Sequence, residues 1–183
     1  MVDLETLGTA PGSVLRSIGA VAFDPEAGVI GEAFYCNVDR ASCEAAGLTV
    51  DPQTVAWWAR QSAEAQAALD HDPRPLGEAL DAFAAWWKAQ DGGFLWGQGS
   101  DFDVALLAEA FRRAGRRTPW PYHAARDTRT VYQLAGVEPD RTGLVHHNAV
   151  DDARAQAGAI CRAWPRLRLW SVLADAVRPQ VAA

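Results

Sequence analysis

The sequence has no run of 18 or more apolar residues, so no segment is long enough to cross a bilayer as a helix. It opens without the basic, apolar, small-residue succession of a signal peptide, and a soluble chain in the cytoplasm is the expectation. Cysteine is sparse: Cys36, Cys43 and Cys161 are odd in number and widely spaced. With no C-x-x-C pair and no histidine at zinc-finger distance, a disulfide framework or structural zinc is disfavoured. Positive charge is scarce too, with 17 Lys and Arg against 23 Asp and Glu, a net of −6. That balance argues against coating duplex nucleic acid by bulk attraction. It leaves room for a site that gathers acids around divalent cations, because such acids add to the negative count and the ions reverse the local field. Internal repeats and low-complexity linkers are missing.

What the chain does have is enough apolar residues, 49% of 183, to fill one core, and a single domain over residues 1–183 is expected. The opening "MVDLETLGT" reads as a strand, "SVLRSIGAVAF" (13–23) as a second ended by Asp24-Pro25 and the turn "EAG", and "VIGEAFYCNVD" (29–39) as a third, joined as hairpins. The pattern then turns helical. Asp51 as N-cap and Pro52 at the first position predict one helix over 51–69, and Leu76, Leu80, Phe83 and Trp87 predict another. "GGFLWG" reads as a short buried strand. "SDFDVALLAEAFRRAGRR" reads as a helix capped by Ser100 or Asp101 and closed by basic residues and Gly115. "DTRTVYQLAG" and "NAVDDARAQAGAICRAW" read as two more, the last capped by Asn148 and stopped by Pro165. This succession describes an α/β domain with a mixed sheet covered by helices.

Three acidic sites stand out: Asp3 and Glu5 in "DLE", Asp103 in "GSDFD", and Asp151 and Asp152 in "HHNAVDD". Helix first turns favour acids through the helix dipole, which explains Asp103, Asp151 and Asp152 one at a time without any chemistry. A histidine followed five residues on by an acid is weak on its own. Asp3 and Glu5 are harder to explain that way. Alternation puts them on one face of the first strand, where two like charges need a cation between them or a proton on one. A solvated edge strand is the structural alternative.

Taken together, Asp-x-Glu in an opening strand, Phe-Asp at a central helix start and His-x-x-x-x-Asp at a late one resemble the three exonuclease motifs of the DEDDh superfamily. The phrases "MVDLETLGT", "PGSVLRSIGAVAFDP", "TVAWWARQS" and "ARDTRTV" look closest to its small phage-type and bacterial 3′-5′ exoribonuclease branch. The likeness runs from residue 2 to about residue 160. Where the branch often has Asn-Gly, this chain has Gln98-Gly99. His146 to Asp151 and His147 to Asp152 have the same spacing, and the branch pattern His-x-Ala-x-x-Asp-Ala selects the second pair, leaving Asp151 a solvated acid.

The resemblance implies a ribonuclease H-like α/β fold and catalytic residues Asp3, Glu5, Asp103, His147 and Asp152. The four acids would hold two Mg²⁺ or Mn²⁺ ions: Asp3 would bridge both, Glu5 and Asp152 would complete the first site, and Asp103 would act directly or through water. His147 would be the general base. The implied reaction releases nucleoside 5′-monophosphates from the 3′ ends of single-stranded nucleic acid, RNA favoured over DNA. Leu7, Gly8, Thr9, Trp58, Phe102 and Arg129 are the expected substrate contacts. Of the adjacent pairs Trp57/Trp58 and Trp86/Trp87, one member each is expected in the core. The basic run Arg112 to Arg117 is expected to be a solvated helix end, and Asp127 to pair with Arg126 or Arg129, with a phosphate-facing role as the alternative. No membrane is involved, and the homodimer common among related enzymes is the assembly the likeness allows. The competing readings are a 3′-5′ exodeoxyribonuclease, an inactive nucleic-acid-binding relative and a hydrolase of small phosphate esters.

Overall fold

A computed structural model describes residues 1–167 apart from Gly92, Ser100 and His146. Two expectations, the cap at Ser100 and the alternative base His146, therefore lie outside the described residues. The architecture is mixed α/β. Strands β1 (Val2–Thr6), β2 (Leu15–Asp24) and β3 (Val29–Asn37) form an antiparallel sheet in that order, joined as the hairpin pattern predicts. Asp24 closes the β2–β3 turn by accepting from the Glu26 and Ala27 amides at 2.8 and 3.1 Å. A short parallel pair, β4 (Leu95–Gly97) with β5 (Ala125–Asp127), forms a second ladder. β5 has only three residues and a mixed composition, too little for a period-two signal.

Seven α-helices surround these ladders among the described residues. Helix α1 (Arg40–Ala45) is a single short element capped by Asp39, which the sequence reading lacked. The helix expected over 51–69 is two: α2 (Pro52–Trp58) and α3 (Ala63–Leu69). The break is local chemistry. Gln61 Nε2 turns back to the Trp57 carbonyl at 3.1 Å, and Ser62 accepts from the Ala65 amide at 3.1 Å, starting a new helix. Helix α4 (Leu76–Ala89) buries Leu76, Leu80, Phe83 and Trp87, the face its spacing predicts.

Helix α5 (Asp103–Arg113) begins after Phe102 with no side-chain cap, correcting the expected cap at Asp101. Helix α6 (Thr128–Ala135) is capped by Asp127 and closed by Gly136 at φ +62°. Helix α7 (Ala149–Leu167) begins with Asn148 accepting from the Asp151 amide at 3.3 Å. It continues past Pro165, where a stop was expected, because Arg166 draws its last turn onto the carbonyls of Ala135 and Gly136, each 3.1 Å away.

The main core lies between the antiparallel sheet and helices α1 to α5, with Leu4, Leu15, Ile18, Phe83, Leu107 and Phe111 at its centre. A second cluster unites α6 and α7 with Val21 and Trp96. Small residues line the buried side of α7, among them Ala149, Ala153, Ala157 and Ala163. They let the helix lie close on the sheet, closest at Gly19. Among the described residues no helix is long and apolar enough to cross a membrane.

Candidate active site

The fold gathers the acidic motifs at one cleft of about 710 Å³. Asp3 and Glu5 project from β1, whose other face buries Val2 and Leu4. A register shift between Glu5 and Thr6 bends the strand where it enters the cleft. Asp152 enters from the first turn of α7, carried beside β1 because Gly19, the ladder partner of Asp3, leaves room for the helix start. His147 enters from the loop before it. Its backbone is left-handed, φ +62°, a conformation that costs a non-glycine residue energy and is held by surrounding contacts. One such contact is its amide donating to Asp152 Oδ2 at 3.1 Å.

Asp103 sits behind this group rather than on the cleft wall, 1% exposed. Its carboxylate joins the two ladders, Oδ1 accepting from the Leu4 amide at 3.1 Å and Oδ2 from the Gln98 amide at 2.8 Å. The start of α5 thereby fastens β1 to the end of β4.

So much negative charge in one place has a protonic signature. Burial, then the charges of Asp103, Glu5 and Asp152, raises the Asp3 carboxyl well above the usual range, against a hydrogen bond from Gln156. Burial, then Asp152 and Asp103, pushes Glu5 up to about 8. Burial lifts Asp103 to about 6, opposed by the amides of Gln98 and Leu4 and by the Arg129 charge. A cation or protons must therefore balance the cluster at neutral pH.

The donor set suits a hard divalent ion. Glu5, His147 and Asp152 each offer a ligand atom, and these atoms lie within 4.8 Å of one another. Gln98 and Gln156 line the same cleft with amide oxygens that are buried and unpartnered among the described residues. Such oxygens are acceptors that ion-bound water would satisfy.

A family model described as the 3′-5′ exoribonuclease Rv2179c-like domain matches residues 1–164. The chain belongs to this family. A search of curated proteins finds none that matches. The Rv2179c-like span takes in every acidic and histidine position discussed above and the whole cleft lining, from Asp3 to Gln156.

The expected substrate contacts separate into groups. Thr9, Trp58 and Phe102 line the cleft. Leu7 is buried in the main core, and Gly8 lies against Ser13, so neither lines it. Arg129 lines an adjoining cavity of about 370 Å³ that shares Gln98 and Arg141 with the cleft.

Trp58 is the core member of the first pair, as expected, and both rings also line the cleft. They sit at the end of α2, where the rings stand 5.1 Å apart and edge to face. His147 lies against both, 4.8 Å from Trp57 and 6.0 Å from Trp58 between ring centroids. Trp58 also anchors its indole N–H on the Thr6 carbonyl at 2.9 Å. Trp86 and Trp87 both pack in or against the core, on Phe83 and Trp120 respectively.

Other expectations shift as well. Asp151 is no solvated acid: it accepts from the Val145 amide and pairs with Arg154, each at 3.1 Å. The basic run is the solvated helix end expected, with Arg112, Arg113 and Arg117 exposed, and it also forms surface ion pairs, Arg112 and Arg113 with Glu109 and Arg116 with Asp81. Asp127 makes no ion pair among the described residues, since its carboxylate caps α6 through the Arg129 amide at 2.9 Å. Arg126 instead lies 3.8 Å above the Phe94 ring.

Two cleft residues that touch the acids escaped the sequence reading. Gln156 donates to Asp3 Oδ1 at 2.6 Å, and its place one turn after Asp152 on α7 is a signal that i, i+4 spacing could have supplied. Arg141 donates to Asp152 Oδ1 at 2.6 Å from a loop with no period to read.

Proposed function

We propose that this chain is a metal-dependent 3′-5′ exonuclease that removes nucleoside 5′-monophosphates from single-stranded nucleic acid, RNA favoured. The observation that carries the reading is the convergence of Asp3, Glu5, His147 and Asp152 on one cleft, three of them with ligand atoms inside 4.8 Å. The family description supports the direction of attack and the RNA preference. Membership in DEDDh, with its ribonuclease H-like fold, is part of the same proposal.

Asp3, Glu5 and Asp152 would hold two Mg²⁺ or Mn²⁺ ions, with Asp103 fixing β1 through the Leu4 amide and adding its charge to the group. When bound, such ions supply an activated water and charge neutralisation at the departing 3′-oxygen. The rest falls to side chains of the chain. His147, steadied by Trp57 and Trp58, takes the proton of the attacking water as general base. Gln156 orients Asp3 through its amide N–H. Trp57, Trp58 and Phe102 give the cleft lining aromatic surface on which a nucleoside can stack, with Thr9 beside them in the lining.

The test uses matched 5′-labelled RNA and DNA oligonucleotides with manganese, and Asp3→Ala as control. A ladder shortening from the 3′ end, absent with the variant, is expected on RNA. Cleavage confined to DNA would make the enzyme an exodeoxyribonuclease, and the absence of any ladder would overturn the reading.

A further inference from the structure

Arg141 lies in the loop between α6 and α7 and belongs to both hollows of the molecule, lining the cleft and the adjoining cavity with Arg129, Tyr132 and Glu138. Its Nε sits 2.6 Å from Asp152 Oδ1, the pair being 30% and 11% exposed at the side chains. The second oxygen of Asp152 is taken by the His147 amide at 3.1 Å. Backbone fixes that contact, whereas the guanidinium hangs on a flexible stem. Oδ1 is thus the oxygen whose partner can be exchanged without moving the chain. Arg141 thus puts a cation in direct contact with the acidic group.

A guanidinium and a divalent ion at the same carboxylate oxygen repel each other. We propose that Arg141 is a positioning residue that stands in for a cation on Asp152, is displaced when a divalent ion binds there, and then takes a phosphate of the substrate strand in the adjoining cavity. This rests on the nuclease reading above. The guanidinium fork suits either partner, carboxylate or phosphate. Glu138 is the acid in that cavity's lining, against Arg129 and Arg141, so the balance there favours a phosphate.

Exchange of this kind couples the two ligands. Ion binding pays for the loss of the Arg141 contact when no strand is present and is relieved of that cost when a phosphate receives the guanidinium, so each ligand raises affinity for the other. Removing the guanidinium has the opposite effects on the two halves: the ion binds better alone, and the coupling disappears.

Manganese binding measured by isothermal titration calorimetry, with and without a phosphorothioate RNA tetramer, reads both quantities. Arg141→Gln is expected to bind Mn²⁺ roughly fivefold more tightly than the wild type without RNA, and to show no further gain when the tetramer is added. Wild type gains on addition of the tetramer. Arg141→Lys, which keeps the charge without the fork, lies between the two and serves if the Gln variant is unstable. Equal or weaker Mn²⁺ binding by both variants overturns the exchange even if the wild type digests RNA. Tighter binding and lost coupling in a protein that digests no nucleic acid would keep the exchange and fail the nuclease reading.

Discussion

Gly19 faces Ala149 so closely that a Cβ on the glycine would lie 2.1 Å from the Ala149 carbonyl carbon and 2.4 Å from its oxygen. The obstacle is backbone, at the first residue of α7, and cannot rotate away. Since Gly19 pairs with Asp3 across the β1–β2 ladder, this contact sets the distance between the acids of the first strand and Asp152 one turn along the helix. Gly19→Ala should therefore lift the start of α7. An unfolding free energy lower by about 1 to 3 kcal/mol is expected, together with a turnover loss larger than that destabilisation alone explains at 25 °C. Thermal melts and initial rates at saturating metal check it; a variant with wild-type turnover would show that α7 does not set the site.

Trp57 and Trp58 both flank His147 but differ in what else they do. Trp58 is 6% exposed and holds the Thr6 carbonyl, so Trp58→Ala should cost about 3 to 5 kcal/mol of stability. Trp57 is less buried and has its closest ring contact with His147 at 4.8 Å. Trp57→Ala should leave stability nearly intact and lower kcat about tenfold, while Trp57→Phe recovers most of it by restoring an edge-to-face neighbour. Equal stability losses for both alanine variants would contradict this division.

The antiparallel hairpins and α4 were legible because their signals are long and local: alternation, a Pro-Glu-Ala-Gly turn, and apolar residues every three or four positions. Asp3 and Glu5 were legible because charge on one face of an apolar strand demands an explanation. The short β5 and α1 carry too few residues to show a period. The break between α2 and α3 depends on Gln61 and Ser62 competing for backbone, a contest that composition cannot score. Arg141 was invisible for another reason. Its contact exists only because its loop folds back onto the first turn of α7, and no spacing within its own segment records that.

The two neighbouring acids of α7 should separate in experiment. Asp152 reaches the cleft with its oxygens on Arg141 and the His147 amide, whereas Asp151 holds the Val145 amide and Arg154 away from it. Asp152→Asn is expected to cut turnover at least about 10³-fold, since on the proposed reading it removes an ion ligand. Asp151→Asn should cost about 1 kcal/mol of stability and no more than about threefold in rate. Side-by-side kinetics and melts decide it, and the reverse ranking would move the reading to the other register.

Finally, the acidic cluster gives the metal-free protein an inverted pH dependence. Burial pushes Glu5 up to about 8 and Asp103 up to about 6 in the folded chain, both above ordinary carboxylates, and raises Asp3 in the same direction. A group that binds its proton more tightly when folded stabilises the fold below its unfolded pKa, and that contribution is lost as pH rises through the folded value. The buried Met1 ammonium, lowered to about 5, works the other way within this interval, whereas Glu109, held down to about 2 by Arg112 and Arg113, does so mainly below it. In chelator, the three raised carboxyls against the one lowered amine should make the unfolding free energy fall between pH 5 and pH 8.5. Manganese should cancel most of that fall, because ions replace protons as the counter-charge and bind best where the acids are ionised. Melting curves across pH with and without metal measure both slopes. A Glu5→Gln variant that keeps the wild-type slope in chelator would mean the three carboxyls are not crowded together as the fold places them.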